Sequence, residues 1–188
     1  MEKSAVIIGG GLGGLFTGAI LSKEGVKVTV IEKNPTVGGG LQSFRRFGET
    51  FDTGMHVIGG MQEGGNIRRI CEYLGIFDKV HVMDVDPDVI DTLYFAEDKK
   101  VYKIAQGKDG FVNALSESFP DQKDNLRSYV DAVYSIVDEL DMFYLRPSQD
   151  FIFVHSEDFM MPADGFIAKY ISDRKLCSVL AYMNPLYG

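Results

Sequence analysis

The feature that most constrains this chain is the glycine spacing Gly9, Gly11 and Gly14, set between a β-branched run and a helical pattern. Ala5 to Ile8 is uncharged and mostly β-branched, which predicts a parallel strand buried on both faces by crossover helices, the central first strand of its sheet. Each glycine of the GxGxxG spacing answers a different steric demand: a tight turn, backbone approach to a pyrophosphate, and close packing of helix on strand. A side chain at Gly11 would occupy the phosphate's space. Leu12, Leu15, Phe16, Ala19 and Ile20 recur at helical spacing, so a helix begins inside the loop and turns its N-terminal amides and dipole toward an anion. Gly25 ends that helix, and Lys27 to Ile31 reads as a second buried strand with Glu32 at its carboxyl end. Glu32 stands 18 residues past Gly14, close to the roughly 20 expected for a carboxylate that accepts hydrogen bonds from an adenosine ribose. The uncharged stretch from Ala5 to Leu21 also has the look of a signal peptide or membrane span. It is, however, rich in glycine, shorter than the about 20 residues of a span, and without a convincing cleavage site.

Charge narrows the partners. The formal net charge of −8 and a pI of about 4.9 argue against a nucleic-acid footprint, which needs a basic face. The basic clusters go no further than Arg45-Arg46 and Arg68-Arg69. The two cysteines, Cys71 and Cys177, match neither a metal spacing nor a disulfide framework, which points to a reducing, cytoplasmic compartment. No later stretch reaches membrane-spanning length without charge, so any membrane contact is expected to be peripheral.

After Asn34-Pro35 comes a second glycine-rich turn, Val37-Gly38-Gly39-Gly40-Leu41-Gln42-Ser43, where many nicotinamide-dependent Rossmann enzymes simply start another helix. Gly38 and Gly39 let backbone amides approach a ligand, and Ser43 supplies a hydroxyl to a phosphate or ribityl oxygen. The alternative is an ordinary surface turn. Phe44 to Phe51 reads as a short hairpin around Gly48, leading into Phe51-Asp52-Thr53-Gly54-Met55-His56-Val57-Ile58-Gly59-Gly60. Asp52 reads as a turn former.

The fingerprint with Glu32, the turn at Gly38, Gly39 and Ser43, and the FDTGMHVIGG run together resemble the amino-terminal part of the phytoene desaturase, carotenoid isomerase and retinol saturase group of FAD-dependent oxidoreductases. The run from Phe51 to Gly64 is most similar to the retinol saturases. The resemblance implies an α/β fold: a Rossmann-like FAD-binding domain with a parallel sheet, plus the start of an inserted α+β substrate domain. By that likeness Gly9, Gly10, Gly11, Leu12, Gly13 and Gly14 line the pyrophosphate, and Glu32 with Lys33 meets the adenosine ribose. Gly38, Gly39, Gly40 and Ser43 hold the middle of FAD, while Gly54, Met55 and His56 lie near the flavin ring. Position 40, often arginine in related flavoproteins, is Gly40 here, which puts one expected cofactor contact in question. His56 reads either as a polar group beside flavin or substrate, and then a weak catalytic candidate, or as a loop histidine bonded to backbone.

Farther on, Asn66 is a candidate N-cap for a helix over Ile67 to Leu74 that turns Cys71 inward, with Arg68 and Arg69 on a solvated face. Val80 to Val85 reads as a strand, and Thr92 to Ala96 with Val101 to Ala105 as a hairpin across a charged turn. Strands thus return without a second βαβ fingerprint. This places the nucleotide-binding part at residues 1–79 and a substrate-binding part at 80–188. Helices are expected over Asp109 to Phe119, Gln122 to Leu145 and Arg174 to Met183. The apolar stretches Phe151 to Val154 and Phe159 to Pro162 suit core, or the wall of a lipid-binding entrance. His81 and His155 lack ligand-spaced partners, so no metal is expected.

The leading expectation is a FAD-dependent oxidoreductase acting on carbon-carbon double bonds of a hydrophobic polyene by saturation, desaturation or isomerisation. A flavin amine oxidase and a non-catalytic prenyl-protein-binding relative are the alternatives. By the resemblance, the 188-residue chain is also expected to be an incomplete enzyme, since the family's FAD domain is completed by a carboxyl-terminal return. Weakened FAD binding and self-association through exposed edges and apolar surface would follow.

Overall fold

In the computed structural model, which describes residues 3–55, 57–147 and 155–183, the chain divides into two compact units, Met1–Val82 and Met83–Gly188. The first unit opens with β1 (Ser4–Ile8), α1 (Leu12–Lys23) and β2 (Lys27–Ile31). β1 and β2 pair in parallel, Ser4 opposite Lys27 through Ile8 opposite Ile31. Gly18 lets α1 settle on this pair, because a Cβ there would lie 3.3 Å from Ile7 and 3.4 Å from Val30. The helix ends at Gly25, whose φ of 81° is the left-handed conformation that glycine adopts without a Cβ penalty.

The sheet is covered on one face only. Side chains alternate across a strand, so Ala5 and Ile7 are half-buried while Val6 and Ile8 point the other way, 65% and 88% exposed. The expectation of a central strand buried on both faces is therefore corrected. Among the named strands β1 pairs only with β2, and α1 is the helix that packs on the pair.

β3 (Ser43–Arg46) and β4 (Glu49–Asp52) form a separate antiparallel hairpin with Arg46 opposite Glu49. Asp52 lies in β4 opposite Ser43 rather than in a turn. Phe47 and Gly48 make the two-residue loop with φ of 54° and 85°, the all-positive pattern of a type I′ turn. α2 (Asn66–Leu74) begins one residue earlier than its sequence suggests, because Gly65 occupies the N-cap. It buries Cys71, and that burial pushes the thiol's pKa up. Its end is tied to α1: the Tyr73 hydroxyl donates to the Glu24 carboxylate, and the Lys23 ammonium donates to the Tyr73 carbonyl.

Val80 to Val85 is not a strand. Nothing among the described residues offers these positions a backbone ladder, and Val80, Val82 and Met83 are left exposed. The second unit starts its regular structure with the hairpin of β5 (Asp91–Phe95) and β6 (Lys100–Ile104). Alternation along β6 buries Tyr102 and Ile104 and leaves Val101 outward. That face joins one core cluster with α3 (Gly107–Ser116), α4 (Lys123–Asp138), α6 (Ala163–Tyr170) and α7 (Arg174–Leu180); the single-turn α5 (Glu157–Met160) precedes α6.

Helical spacing selects the core: Val112 and Leu115 from α3, Leu126 and Val130 from α4, Ile167 from α6, Leu176 and Val179 from α7. The Asp173 carboxylate caps α7 by accepting from Leu176 N–H at 2.8 Å, and Lys175 at 2.9 Å from Asp98 ties that helix to the β5–β6 turn. α4 stops at Asp138, short of Leu145, because its backbone tightens to three-residue hydrogen bonds at Glu139 and Leu140. The Arg146 guanidinium then donates to the Asp138 carbonyl at 2.6 Å. α7 likewise ends at Leu180, short of Met183. α6 was not expected; its signal was the spacing of Phe166, Ile167 and Tyr170. Phe151 to Val154 lies outside the described residues.

Leu126 has no exposed surface at the centre of the second unit. Leu126→Ala should destabilise that unit by about 2 to 5 kcal/mol, the range for deleting a buried leucine side chain, and a denaturant titration followed by circular dichroism measures it.

Candidate dinucleotide site

The fingerprint loop is held by one carboxylate. Gly10 N–H donates to Glu32 Oε2 at 2.7 Å, and Asn34 N–H donates to Glu32 Oε1 at 2.8 Å. Glu32 therefore ties the loop after β1 to the turn after β2. The Asn34 amide, then the Gly10 amide, hold its carboxyl below the usual carboxylate range, with a smaller contribution from the neighbouring Lys33. Gly9 N–H extends the β ladder by donating to Ile31 C=O at 2.8 Å.

Gly14 shows why the last fingerprint position tolerates no side chain. A Cβ there would fall 2.1 Å from the Gly9 carbonyl oxygen, so helix and loop can approach this closely only over glycine. Gly11 differs: its nearest neighbour to a Cβ would be the Gly39 Cα at 3.9 Å, which leaves room within the protein itself. A Cβ at Gly13 or Gly40 would meet no atom within 4 Å. The first turn of α1, with no side-chain cap at Gly11, presents amide N–H groups that have no acceptor in their own helix.

The second glycine turn docks on the first. Gly38 N–H donates to Gly10 C=O at 2.7 Å, Gly11 and Gly38 form a parallel bridge, and Val37 packs beside Gly10. Gly39 and Gly40 begin a short 3-10 turn, Gly39–Leu41. Gly54 lies against Gly40, where an added Cβ would be 3.4 Å from its carbonyl oxygen. Ser43 opens β3 beside them.

Gly10, Gly11, Glu32, Gly38 and Gly39 are thus brought together by backbone contacts, with Gly54 adjoining at Gly40. Lys33 and Met55 are exposed, and His56 lies outside the described residues. Sequence reasoning missed Asn34, whose amide fixes Glu32, and Gln42, whose side-chain amide donates to the Thr36 carbonyl at 2.6 Å and braces the turn. An Asn-Pro pair following the acid was the available signal for the first; Gln42 had none. Among the described residues no group of three or more His, Cys, Asp or Glu could hold a metal ion, and no helix is long and apolar enough to cross a membrane.

Comparison with known proteins accords with this geometry. Residues 7–74 match the NAD(P)-binding Rossmann-like domain. The chain is 35% identical over 134 residues to the all-trans-retinol 13,14-reductase of Homo sapiens, an alignment covering 70% of this chain and 22% of the relative. It is 28% identical over 185 residues to prolycopene isomerase 1 of an Oncidium hybrid cultivar, covering 98% of this chain and 29% of that protein. This chain is a homologue of prolycopene isomerases and all-trans-retinol 13,14-reductases. The Arabidopsis thaliana prolycopene isomerase is 28% identical over 189 residues, with 94% and 31% covered, so the chain spans less than a third of these curated relatives. A Pyrococcus furiosus protein of known crystal structure is 22% identical with a TM-score of 0.56, over 94% of this chain and 36% of that one, which shows a shared fold. The glycine turns around Gly11 and the Glu32 carboxylate lie within the stretch that matches the Rossmann-like domain.

Two outcomes test the cradle. Gly14→Ala should destabilise the first unit by about 1 to 3 kcal/mol through overpacking against the Gly9 carbonyl, read from denaturant midpoints. Glu32 has a lowered folded pKa, so its stabilisation is fully present above the unfolded value of about 4.3 and is lost as pH falls through the folded value. The stability gap between the parent and Glu32→Gln should be widest at neutral pH and close in acid, measured by unfolding at a series of pH values.

Proposed function

We propose that this chain is the FAD-binding portion of an oxidoreductase acting on carbon-carbon double bonds of a retinoid- or carotenoid-like polyene. The observation that carries the FAD assignment is the docking of Gly38 on Gly10. A second glycine-rich turn is thereby laid beside the pyrophosphate loop, extending the cradle beyond what the adenosine half of a dinucleotide occupies. The open space over Gly13 and Gly40 fits a ligand whose backbone passes close to both. In this reading the α1 amides hold the pyrophosphate, Glu32 accepts from the adenosine ribose, and Gly38, Gly39, Gly40 and Ser43 meet the middle of FAD. Gly54, Met55 and His56 belong to the flavin end.

Bound FAD would supply the hydride or electron chemistry. The protein's own residues bind, orient and exclude water. Glu32, deprotonated at neutral pH and held by two backbone amides, keeps its acceptor geometry without needing to reorganise on binding. For the polyene, the second unit contains a cavity of about 280 Å³ whose lining includes Ile90, Phe111, Tyr129, Val133 and Tyr134. Apart from Lys108, which is paired with Asp131 at 2.8 Å, the wall is apolar and aromatic, and its lining includes no carboxylate for an amine; it suits a hydrocarbon substrate. The homologues named for retinol and prolycopene support the same substrate class.

The test combines cofactor and substrate. The full-length gene product should release FAD on denaturation and convert a retinoid or carotenoid, seen by chromatography, with no turnover of simple amines. Gly11→Ala, which the protein packing accommodates, should keep the fold and lose FAD. Absence of FAD, or amine oxidation with peroxide release and no polyene conversion, overturns the proposal.

A further inference from the structure

The second glycine turn has a shape that glycine can adopt but cannot hold by itself. Gly38 and Gly39 stand at φ 124° and 57°, a region glycine enters without steric cost and leaves as easily, because no side chain restricts it. The bond from Gly38 N–H to Gly10 C=O at 2.7 Å fixes one point of the turn. A segment of adjacent glycines needs a further tie to keep a single conformation.

Gln42 supplies it from four sides. Its side-chain Nε2 donates to the Thr36 carbonyl at 2.6 Å, which closes the turn from its entry to its exit. Its backbone N–H donates to Gly39 C=O at 3.2 Å, and its own carbonyl accepts from Thr53 N–H at 2.9 Å. The stem of the side chain lies over Gly38, where an added Cβ would come 3.1 Å from Gln42 Cγ. Gln42 is accordingly half-buried. The bond to Thr53 carries the tie into the run after β4, whose Gly54 lies against the Gly40 carbonyl. One residue thus joins the start of the turn, its glycines and the Thr53–Gly54 run. The clamp of Glu32 on the Gly10 and Asn34 amides stands on other atoms.

We propose that Gln42 is a positioning residue whose side-chain amide holds the turn over residues 36–40 ready for the middle of FAD, and thereby sets the preference for FAD over a nucleotide that ends at the pyrophosphate, such as ADP. The role rests on the FAD reading above. Its physical basis is preorganisation: a turn that samples several conformations must be ordered when the ligand binds, and affinity falls with the fraction of molecules already in the competent shape. ADP meets only the α1 amides and Glu32, so it is indifferent to the state of the turn.

The experiment is calorimetric titration of the flavin-stripped full-length gene product with FAD and, separately, with ADP, for the parent, Gln42→Glu and Gln42→Leu. Glu keeps the length of Gln but sets an acceptor against the Thr36 carbonyl, and Leu removes the polar group altogether. Both variants should bind FAD about three- to tenfold more weakly, the scale of one lost hydrogen bond, while ADP affinity stays at the parent value. Hydrogen exchange on the ligand-free protein should show the Gly38 and Leu41 amides opening faster in both variants, with the β1 and β2 amides unchanged. FAD affinity equal to the parent's overturns the role of Gln42. So does a loss shared equally by FAD and ADP, since Gln42 would then support the stability of the unit and not the shape of the turn. A parent protein that binds ADP but no FAD overturns the FAD reading itself and this role with it.

Discussion

The Glu32 carboxylate is the interaction on which the first unit depends. Residues 22 positions apart are joined when Gly10 N–H donates to it, and the Asn34 amide completes the clamp. Without that acceptor the loop between β1 and α1 would carry a buried-side amide lacking a partner, and an unsatisfied backbone donor of this kind costs free energy comparable to a lost hydrogen bond. One acid therefore serves as a structural fastener and, in the proposed function, also as the acceptor of ribose hydroxyls. These roles are compatible because each carboxylate oxygen has a second lone pair.

From that fastener the rest of the cradle follows by close backbone contact. Gly14 brings the helix under the Gly9 carbonyl, and Gly38 lays the second turn along Gly10 and Gly11. Side chains are absent from most of these contacts, so what the surface offers is backbone shape and the field of the first helical turn. In the proposed function such a surface would take a pyrophosphate by its charge and width, with the turn at Gly38 to Ser43 distinguishing between dinucleotides.

The two units illustrate different solutions to burial. The second gathers its apolar residues from a hairpin and four helices into one cluster around Leu126 and Ile104. The first leaves the outward face of β1 and β2 uncovered within the described residues. A parallel pair with one helix on it has half the cover that such sheets ordinarily take, which accounts for the exposure of Val6, Ile8 and Ile31.

By itself the sequence determined the local elements and the location of the cradle. Period-two and helical spacings are carried by residues two to four apart, and glycine positions announce sharp turns, so β1, α1, β2, both hairpins and α3 were legible within a few residues. Tertiary structure decided the rest. The bond from Gly38 to Gly10, the bracing of Thr36 by Gln42 and the one-sided cover of β1 join residues whose separation no local pattern encodes. α4 ends where its backbone tightens to three-residue hydrogen bonds at Glu139 and Leu140, without a change in apolar spacing, which is why periodicity ran it too long. Val80 to Val85 has a strand's composition but finds no ladder, because a strand exists only where another backbone supplies its hydrogen bonds.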